Sequence, residues 1–137
     1  MSLDNSLTEC CDSLSCLHAL EHFGLGRYGD PIDPLGHEAG LKNMFKMLSE
    51  DGTFYLAVPI GEARVEFNGL RVFDPINIES LAVANGLVLQ DFAFVGADDV
   101  FTTSSEPKKD FKYLAMQDYA LGIFIFHKTA SRAAWIA

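Results

Sequence analysis

The chain has 137 residues, of which 49% are hydrophobic and 12% aromatic, so it is long enough and apolar enough to bury one globular core. Its 10 basic residues stand against 19 acidic ones, which gives a net charge of −9. An acidic surface repels phosphate groups, so this composition disfavours nucleic acid and anionic membranes as partners. No apolar run of the sequence is long enough to cross a bilayer.

The N-terminal stretch predicts the compartment of the protein. The first residues, MSLDNSLTEC, lack the basic segment followed by an apolar one that begins a secretory signal. The three cysteines, Cys10, Cys11 and Cys16, are odd in number and fit no metal-binding spacing. We therefore expect a reduced, cytoplasmic protein with free thiols.

The first part of the chain predicts a strand, a helix and a second strand. A short apolar run over 12–20 has no helix cap and predicts a buried strand, followed by a loop rich in Gly and Pro. From about Leu35 the apolar spacing becomes that of an amphipathic helix, and Asp51-Gly52 is expected to end it in a turn. The β-branched and aromatic stretch 53–60, TFYLAVPI, predicts the second strand.

A second helix has clear start and stop signals. The residues before it, 61–73, are expected to form a polar loop. Asp74 is a suitable N-cap and Pro75 suits the first helical turn, where a backbone N–H has no intrahelical acceptor. Gly86 is the expected stop.

Two further strands complete the predicted fold. LVLQDFAFVG at 87–96 is the third strand, and YALGIFIFHK at 119–128 is the fourth. The fourth is apolar on both faces, which is typical of a central strand. The segment between them is polar and contains Pro107, so it is expected to be a loop. We predict an α/β sheet of about four strands, mostly parallel with one antiparallel strand, and helices on its faces.

The stretch His18-Ala-Leu-Glu-His22 fits the H-x-x-E-H pattern of certain zinc hydrolases. That pattern needs both histidines on one helix, one turn apart, with the glutamate as base. The surrounding residues predict a strand that runs into a loop, so we expect no metal and interpret His18 as a core histidine. A zinc hydrolase remains as a lesser alternative.

A second short pattern, G-x-G-x-x-G, follows at once in Gly24, Gly26 and Gly29. In dinucleotide-binding proteins these glycines join a strand directly to a helix whose N-terminus faces a pyrophosphate. Here Asp30-Pro31 follows, so no helix begins at this position. The pattern therefore predicts a turn-rich loop rather than a nucleotide site.

Longer stretches of the sequence resemble known families. CCDSLSCLHALEHF and LKNMFKMLSEDGTFYLAVP resemble the later half of class I S-adenosylmethionine-dependent methyltransferases. In that fold they would be the fourth strand, the helix after it and the fifth strand. LVLQDFAFV and LGIFIFHK would be the sixth and seventh, with the seventh antiparallel and inserted beside the fifth. SCLHALEHFGLGRYGDPIDPLG, with VPIG and FNGLRVFDP, further resembles an uncharacterised family of unknown function first described from nematodes and also found in bacteria.

The resemblance implies an activity and a missing part. The donor-binding Gly-rich loop of the methyltransferase fold has no counterpart before the first predicted strand, so residues 1–137 are expected to be a single methyltransferase-like domain without the N-terminal donor-binding half. If a partner or a dimer completes it, the implied reaction is methyl transfer from S-adenosylmethionine to a small polar or sugar-like acceptor. The alternative is a non-catalytic binding or assembly module that retains the scaffold.

The candidate site consists of polar residues at the carboxyl ends of the first two predicted strands, where ligands bind in open α/β sheets. Glu21 and His22 are the candidate catalytic residues, because either could take a proton from the acceptor. Arginines could hold an anionic acceptor by bidentate pairing. The candidate substrate-binding residues are Arg27, Tyr28, Asp30 and Arg71. The alternative is a loop that is held by its own salt bridges, such as Arg27 with Asp30 or Asp33.

The first strand also predicts a partner. With no strand expected on its outer side, the apolar segment Cys11–Leu17 becomes a sheet edge, and exposed edges tend to pair with other chains. We therefore expect a homodimer or a partner subunit that contacts this segment.

Overall fold

The computed structural model describes residues 5–26, 29, 31–66 and 69–129. These residues form three α-helices and seven strands, together with short 3₁₀ helices at Asn5–Leu7 and Leu20–His22. In chain order the elements are β1 (Cys11–Leu17), α1 (Gly36–Met47), β2 (Leu48–Ile60), β3 (Arg64–Glu66), β4 (Leu70–Val72), α2 (Pro75–Ala84), β5 (Leu87–Val95), β6 (Phe101–Thr103), α3 (Pro107–Leu114) and β7 (Ala120–Lys128).

Five of the strands form one sheet in the order β1-β2-β7-β5-β6, and β3 and β4 form a separate hairpin. β1 and β2 are parallel, whereas β7 is antiparallel to both β2 and β5, so β5 has the same direction as β2. The last strand of the chain is therefore inserted beside β2, as the resemblance implied. The predicted α/β class is confirmed, and the short antiparallel β6 is an addition to the four predicted strands.

The central position of β7 follows from its side chains. Phe124 and Phe126 are fully buried on one face, and Ile123 and Ile125, which alternate with them, are partly buried on the other. The ring of Phe92 on β5 lies 4.9 Å from that of Phe124 and 4.7 Å from that of Phe111 on α3. These aromatic contacts join the sheet to the helices in one core.

The first strand ends earlier than predicted. It stops at Leu17, and His18, with a φ of 55°, turns the chain away from the extended conformation. The chain then enters the 3₁₀ helix Leu20–His22, where Leu20 is fully buried. The residues after β1 are thus folded against the core instead of extending the sheet.

The turn predicted at Asp51-Gly52 is wrong. Helix α1 ends at Met47 and β2 begins directly at Leu48, so Asp51 and Gly52 lie inside a strand. Asp51 has a φ of 63°, and the pairing with β1 shifts from Leu48 to Thr53 across this segment. The Asp51-Gly52 pair therefore forms a β-bulge, and a bulge can contain a residue with positive φ such as Asp51.

Two segments that were predicted as loops contain regular structure. The segment 61–73 contains the hairpin of β3 and β4, whose pairing is short and lies outside the main sheet. The segment after β6 contains α3. Pro107 occupies the first turn of this helix, whereas the sequence pattern predicted a loop residue there. Phe111 and Leu114, three residues apart, bury one face of this helix.

The boundaries of α2 confirm the prediction. The Asp74 side chain accepts a hydrogen bond of 2.9 Å from the Ile76 amide, and Pro75 occupies the first turn. Gly86 follows the helix with a φ of 86°, a conformation that favours glycine. Local capping chemistry is sufficient to set both ends of α2.

The expected free thiols are confirmed, since Cys10, Cys11 and Cys16 form no disulfide. Cys16 lies in the core, and burial raises the pKa of its thiol. Over the described ranges, every helix is too short or too polar to span a membrane.

Candidate functional site

The candidate residues gather at the carboxyl ends of β1 and β2. The 3₁₀ helix Leu20–His22 follows β1, the hairpin follows β2, and α1 and α2 both begin from this edge of the sheet. This is the edge at which open α/β sheets bind their ligands. The fold thus brings the two predicted polar segments to one place.

Glu21 is the most deeply buried charged group of this edge. Its side chain is 3% exposed, and its Oε1 lies 3.7 Å from His18 Nδ1 and 3.9 Å from His22 Nε2. Its Oε2 is buried and has no hydrogen-bond partner among the described residues. A carboxylate of this kind requires an explanation, because burial without a partner is costly.

His22 is held by the protein on both sides of its ring. Its side chain is 13% exposed, and Nδ1 lies 2.8 Å from the carbonyl oxygen of Gly69, so the Nδ1–H tautomer donates to that carbonyl. Nε2 faces Glu21. The contact with Gly69 joins the 3₁₀ helix to the hairpin.

His18 is not the core histidine that the sequence predicted. Its side chain is 55% exposed, and its backbone lies in the left-handed region at a φ of 55°. Its amide still donates to the carbonyl of Ala57 at 2.9 Å, so the backbone stays paired with β2 while the ring lies at the surface. No periodicity in the sequence signals such a conformation.

Arg71 holds the loop after β1 against the hairpin. It lies on β4 and is 5% exposed. Its guanidinium donates hydrogen bonds to the carbonyls of Phe23, Asp33 and Pro34. Within the described residues no carboxylate lies within ion-pair distance of it, so backbone dipoles solvate this buried charge. Burial lowers the pKa of Arg71, although a guanidinium stays protonated in proteins.

A cavity of about 670 Å³ lies beside Arg71, between the start of α1, the hairpin and α2. This volume is within the range of small-molecule sites. Its wall combines polar and apolar side chains, among them Pro34, His37, Arg71, Phe73, Asn77 and Leu81.

His37, in the first turn of α1, was not among the predicted site residues. Its ring centroid lies 5.4 Å from that of Phe73, and its buried Nδ1 has no hydrogen-bond partner in the described part of the chain. Burial, and next the charge of Arg71, lower the pKa of His37 below the usual 6.5. His37 therefore lines the cavity as a neutral imidazole at neutral pH.

The structure unites only part of the predicted site. Glu21 and His22 are in contact range of each other, and Arg71 binds Phe23, the residue that follows His22. Arg27, Tyr28 and Asp30 lie outside the described residues.

The H-x-x-E-H pattern does not lie on one helix. His18 follows a strand, whereas Glu21 and His22 belong to a 3₁₀ turn. Among the residues that the structure describes, no group of three His, Cys, Asp or Glu side chains is placed to hold a metal ion. The helical spacing on which the zinc pattern depends is therefore absent here.

Comparison with known proteins identifies the family. A family model described as Caenorhabditis protein of unknown function, DUF268, matches residues 4–121. The chain belongs to the DUF268 family. No protein of the curated set matches the sequence.

Solved structures similar to this DUF268 chain include S-adenosylmethionine-dependent methyltransferases. A 1,6-didemethyltoxoflavin-N1-methyltransferase from Burkholderia thailandensis, solved with S-adenosylhomocysteine, has a TM-score of 0.58 at 17% identity and covers 93% of this chain. A methyltransferase from Methanosarcina mazei has a TM-score of 0.57 at 10% identity over 95% of this chain. The cyclase SpnF has a TM-score of 0.57 at 12% identity over 95%.

The DUF268 chain spans only part of these neighbours. It covers 47% of the Burkholderia enzyme, 57% of SpnF and 67% of the Methanosarcina protein. Identities this low show a shared fold and not a shared reaction. The methyltransferase-like fold and the nematode-described family, both expected from the sequence, are confirmed.

Protonation of His37 is expected to weaken the fold. Because the pKa of His37 is below 6.5 in the folded state, the unfolded chain binds more protons as the pH falls through this range. Neutral His37 contributes to the free energy of unfolding at pH values above the pKa that this histidine has in the unfolded chain. That contribution is lost as the pH falls through the lower pKa of the folded state. Urea unfolding at about pH 7.5 and about pH 5.5 should show a smaller loss of stability for His37→Gln than for the wild type. Equal losses would contradict the assignment.

Proposed function

We propose that this DUF268 domain takes part in methyl transfer from S-adenosylmethionine to a small polar or sugar-like acceptor, with the donor site completed across a dimer or by a partner subunit. One observation carries the proposal. The sheet places the antiparallel β7 between β2 and β5, as in methyltransferase-like folds, and a buried carboxylate with two histidines lies at the carboxyl end of β1.

The chemistry asks little of the protein beyond position and proton transfer. S-adenosylmethionine supplies a methyl group on a sulfonium, which an acceptor oxygen or nitrogen attacks directly. The protein must hold the acceptor in line and remove its proton. Glu21 and His22 are proposed to take part in the proton transfer, because they place a buried carboxylate beside imidazole nitrogens at this edge.

Acceptor binding is proposed for the residues around Arg71. An acceptor with a negative group would be attracted by the buried guanidinium, which has no carboxylate within ion-pair distance in the described chain. The N–H groups of Arg71 already donate to loop carbonyls. The guanidinium would therefore attract the acceptor through its charge, and direct hydrogen bonds to the acceptor would require the loop to rearrange. Arg27, Tyr28 and Asp30 belong to the same loop and remain proposed contacts.

A non-catalytic role is the second candidate. The cyclase SpnF has a similar fold and its name describes another reaction, so the fold does not determine the chemistry. A chain that covers about half of its first structural neighbour could also serve as a binding or assembly module.

Calorimetric titration separates the two candidates. If the domain forms a donor site, S-adenosylmethionine and S-adenosylhomocysteine should each bind saturably at one site per chain. Adenosine alone serves as the control and should bind more weakly, because it lacks the amino acid portion. Absence of any heat of binding from the purified chain, at concentrations where its oligomeric state is known, would favour the assembly role.

The edge strand β1 supports the proposal of a partner. Among the strands that the structure describes, it is the terminal one of the sheet and pairs only with β2. Leu17 at its end is 59% exposed, so an apolar side chain of this edge is open to solvent. A second copy or a partner subunit that adds a strand here would cover it.

Light scattering tests this partner surface. The purified chain is expected to have the mass of a dimer, and Leu17→Arg should shift it toward the monomer, because a charge at the edge opposes strand pairing. Val83→Arg, at a similarly exposed position on α2, is the matched control and should leave the mass unchanged. A monomeric wild type at high concentration would argue against self-pairing.

A further inference from the structure

We propose that His18 is the residue that accepts the proton of the methyl acceptor, and that the buried Glu21 positions its ring. This inference rests on the proposed methyl transfer but assigns the proton to a residue other than His22. It depends on the positions of three side chains at the carboxyl end of β1: His18, Glu21 and His22.

The ring of His18 lies at ion-pair distance from Glu21 and is exposed on its other side. Nδ1 lies 3.7 Å from Glu21 Oε1, and the side chain is 55% exposed. Nδ1 and Nε2 are on opposite sides of an imidazole, so Nε2 points away from the carboxylate. A carboxylate on one nitrogen and an accessible second nitrogen are the arrangement of a histidine base.

His22 lacks such an open nitrogen. Its Nδ1 is 2.8 Å from the Gly69 carbonyl and its Nε2 faces Glu21 at 3.9 Å. With 13% of the side chain exposed, both nitrogens are directed at protein atoms. His22 therefore serves to join Glu21 to the hairpin, which makes it a positioning residue.

Glu21 is suited to stabilise a charged His18. It lies three residues after His18, on the 3₁₀ turn, and its side chain is 3% exposed. A buried carboxylate at this ion-pair distance favours a proton on Nδ1 of the neutral ring and favours the imidazolium formed by proton transfer. Its Oε2 has no hydrogen-bond partner among the described residues.

The backbone of His18 determines where its ring lies. A φ of 55° costs free energy for a residue with a Cβ, and glycine would adopt it without strain. A glycine at this position would, however, lack the imidazole that the proposed proton transfer needs. The left-handed turn ends β1 and leaves the ring at the sheet edge, where an acceptor would lie.

The proposed step balances in atoms and electrons. The acceptor oxygen or nitrogen forms a bond to the methyl carbon, and the bond between that carbon and sulfur breaks with its electrons left on sulfur. The acceptor proton moves to Nε2 of His18, which becomes an imidazolium beside Glu21. The products are the methylated acceptor and S-adenosylhomocysteine, and the exposed ring returns the proton to water.

The tautomer of His18 tests the pair without donor or acceptor. In protein labelled with ¹⁵N-histidine, two-bond ¹⁵N–¹H correlation spectra distinguish Nδ1–H from Nε2–H rings, and His18→Gln identifies the signals. The proposal expects Nδ1–H for neutral His18 in the wild type. Glu21→Leu should return it to the Nε2–H form that free imidazole favours, whereas Glu62→Leu, at an exposed position, should not.

Two results would overturn the proposal: an Nε2–H ring for His18 in the wild type, or an unchanged tautomer in folded Glu21→Leu. The wild-type spectrum is decisive by itself if that variant does not fold. If the chain binds no S-adenosylmethionine but His18 has the Nδ1–H ring, the proposed methyl transfer fails and the pairing of His18 with Glu21 stands. If the chain binds the donor but His18 has the Nε2–H ring, only the proposed role of His18 fails.

The accessibility of the base gives a second readout. Diethyl pyrocarbonate modifies unprotonated, accessible imidazole nitrogens, and mass spectrometry locates the product. His18 should be modified several-fold faster than His22, because only its Nε2 faces away from the protein. Faster modification of His22 would contradict the assignment.

Discussion

The buried guanidinium of Arg71 is the contact on which the candidate site depends. A charge that is removed from water must be compensated by hydrogen bonds, and Arg71 obtains them from the carbonyls of Phe23, Asp33 and Pro34. These carbonyls belong to the loop after β1, whereas Arg71 belongs to the hairpin after β2. Arg71, together with the hydrogen bond from His22 to the Gly69 carbonyl, thus fixes the two polar segments at the carboxyl edge to each other.

That contact separates two environments at the same edge of the sheet. On one side, Glu21 lies between His18 and His22, and the ring of His18 is open to solvent. On the other side, the cavity beside α2 contains His37, which burial and Arg71 keep neutral. An exposed imidazole and a cavity lined by a neutral one therefore lie at the same edge of the sheet in chemically distinct environments.

The sequence predicted the elements whose signals are local. The cap at Asp74 and the apolar β7 were recognised because a few adjacent residues determine them. α3 was missed because Pro107 was interpreted as a loop residue, although proline equally suits a first helical turn. The exposed ring of His18 was also missed, since no periodicity in the sequence signals its left-handed backbone. Residue types therefore indicated which segments carry the candidate residues, and tertiary contacts were needed to show how each side chain is exposed.

Hydrogen exchange followed by mass spectrometry would test most directly whether Arg71 holds this edge together. The amides of Asp33 and Gly36 donate hydrogen bonds within the loop. In Arg71→Met they should lose protection from exchange, while the amides of β2 and β7 keep it. Arg64→Met, which removes a guanidinium paired with Glu66 and Asp118, is the matched control and should leave the loop protected. Unchanged protection of the loop in Arg71→Met would contradict the account, because the loop would then keep its structure without the hydrogen bonds from the guanidinium.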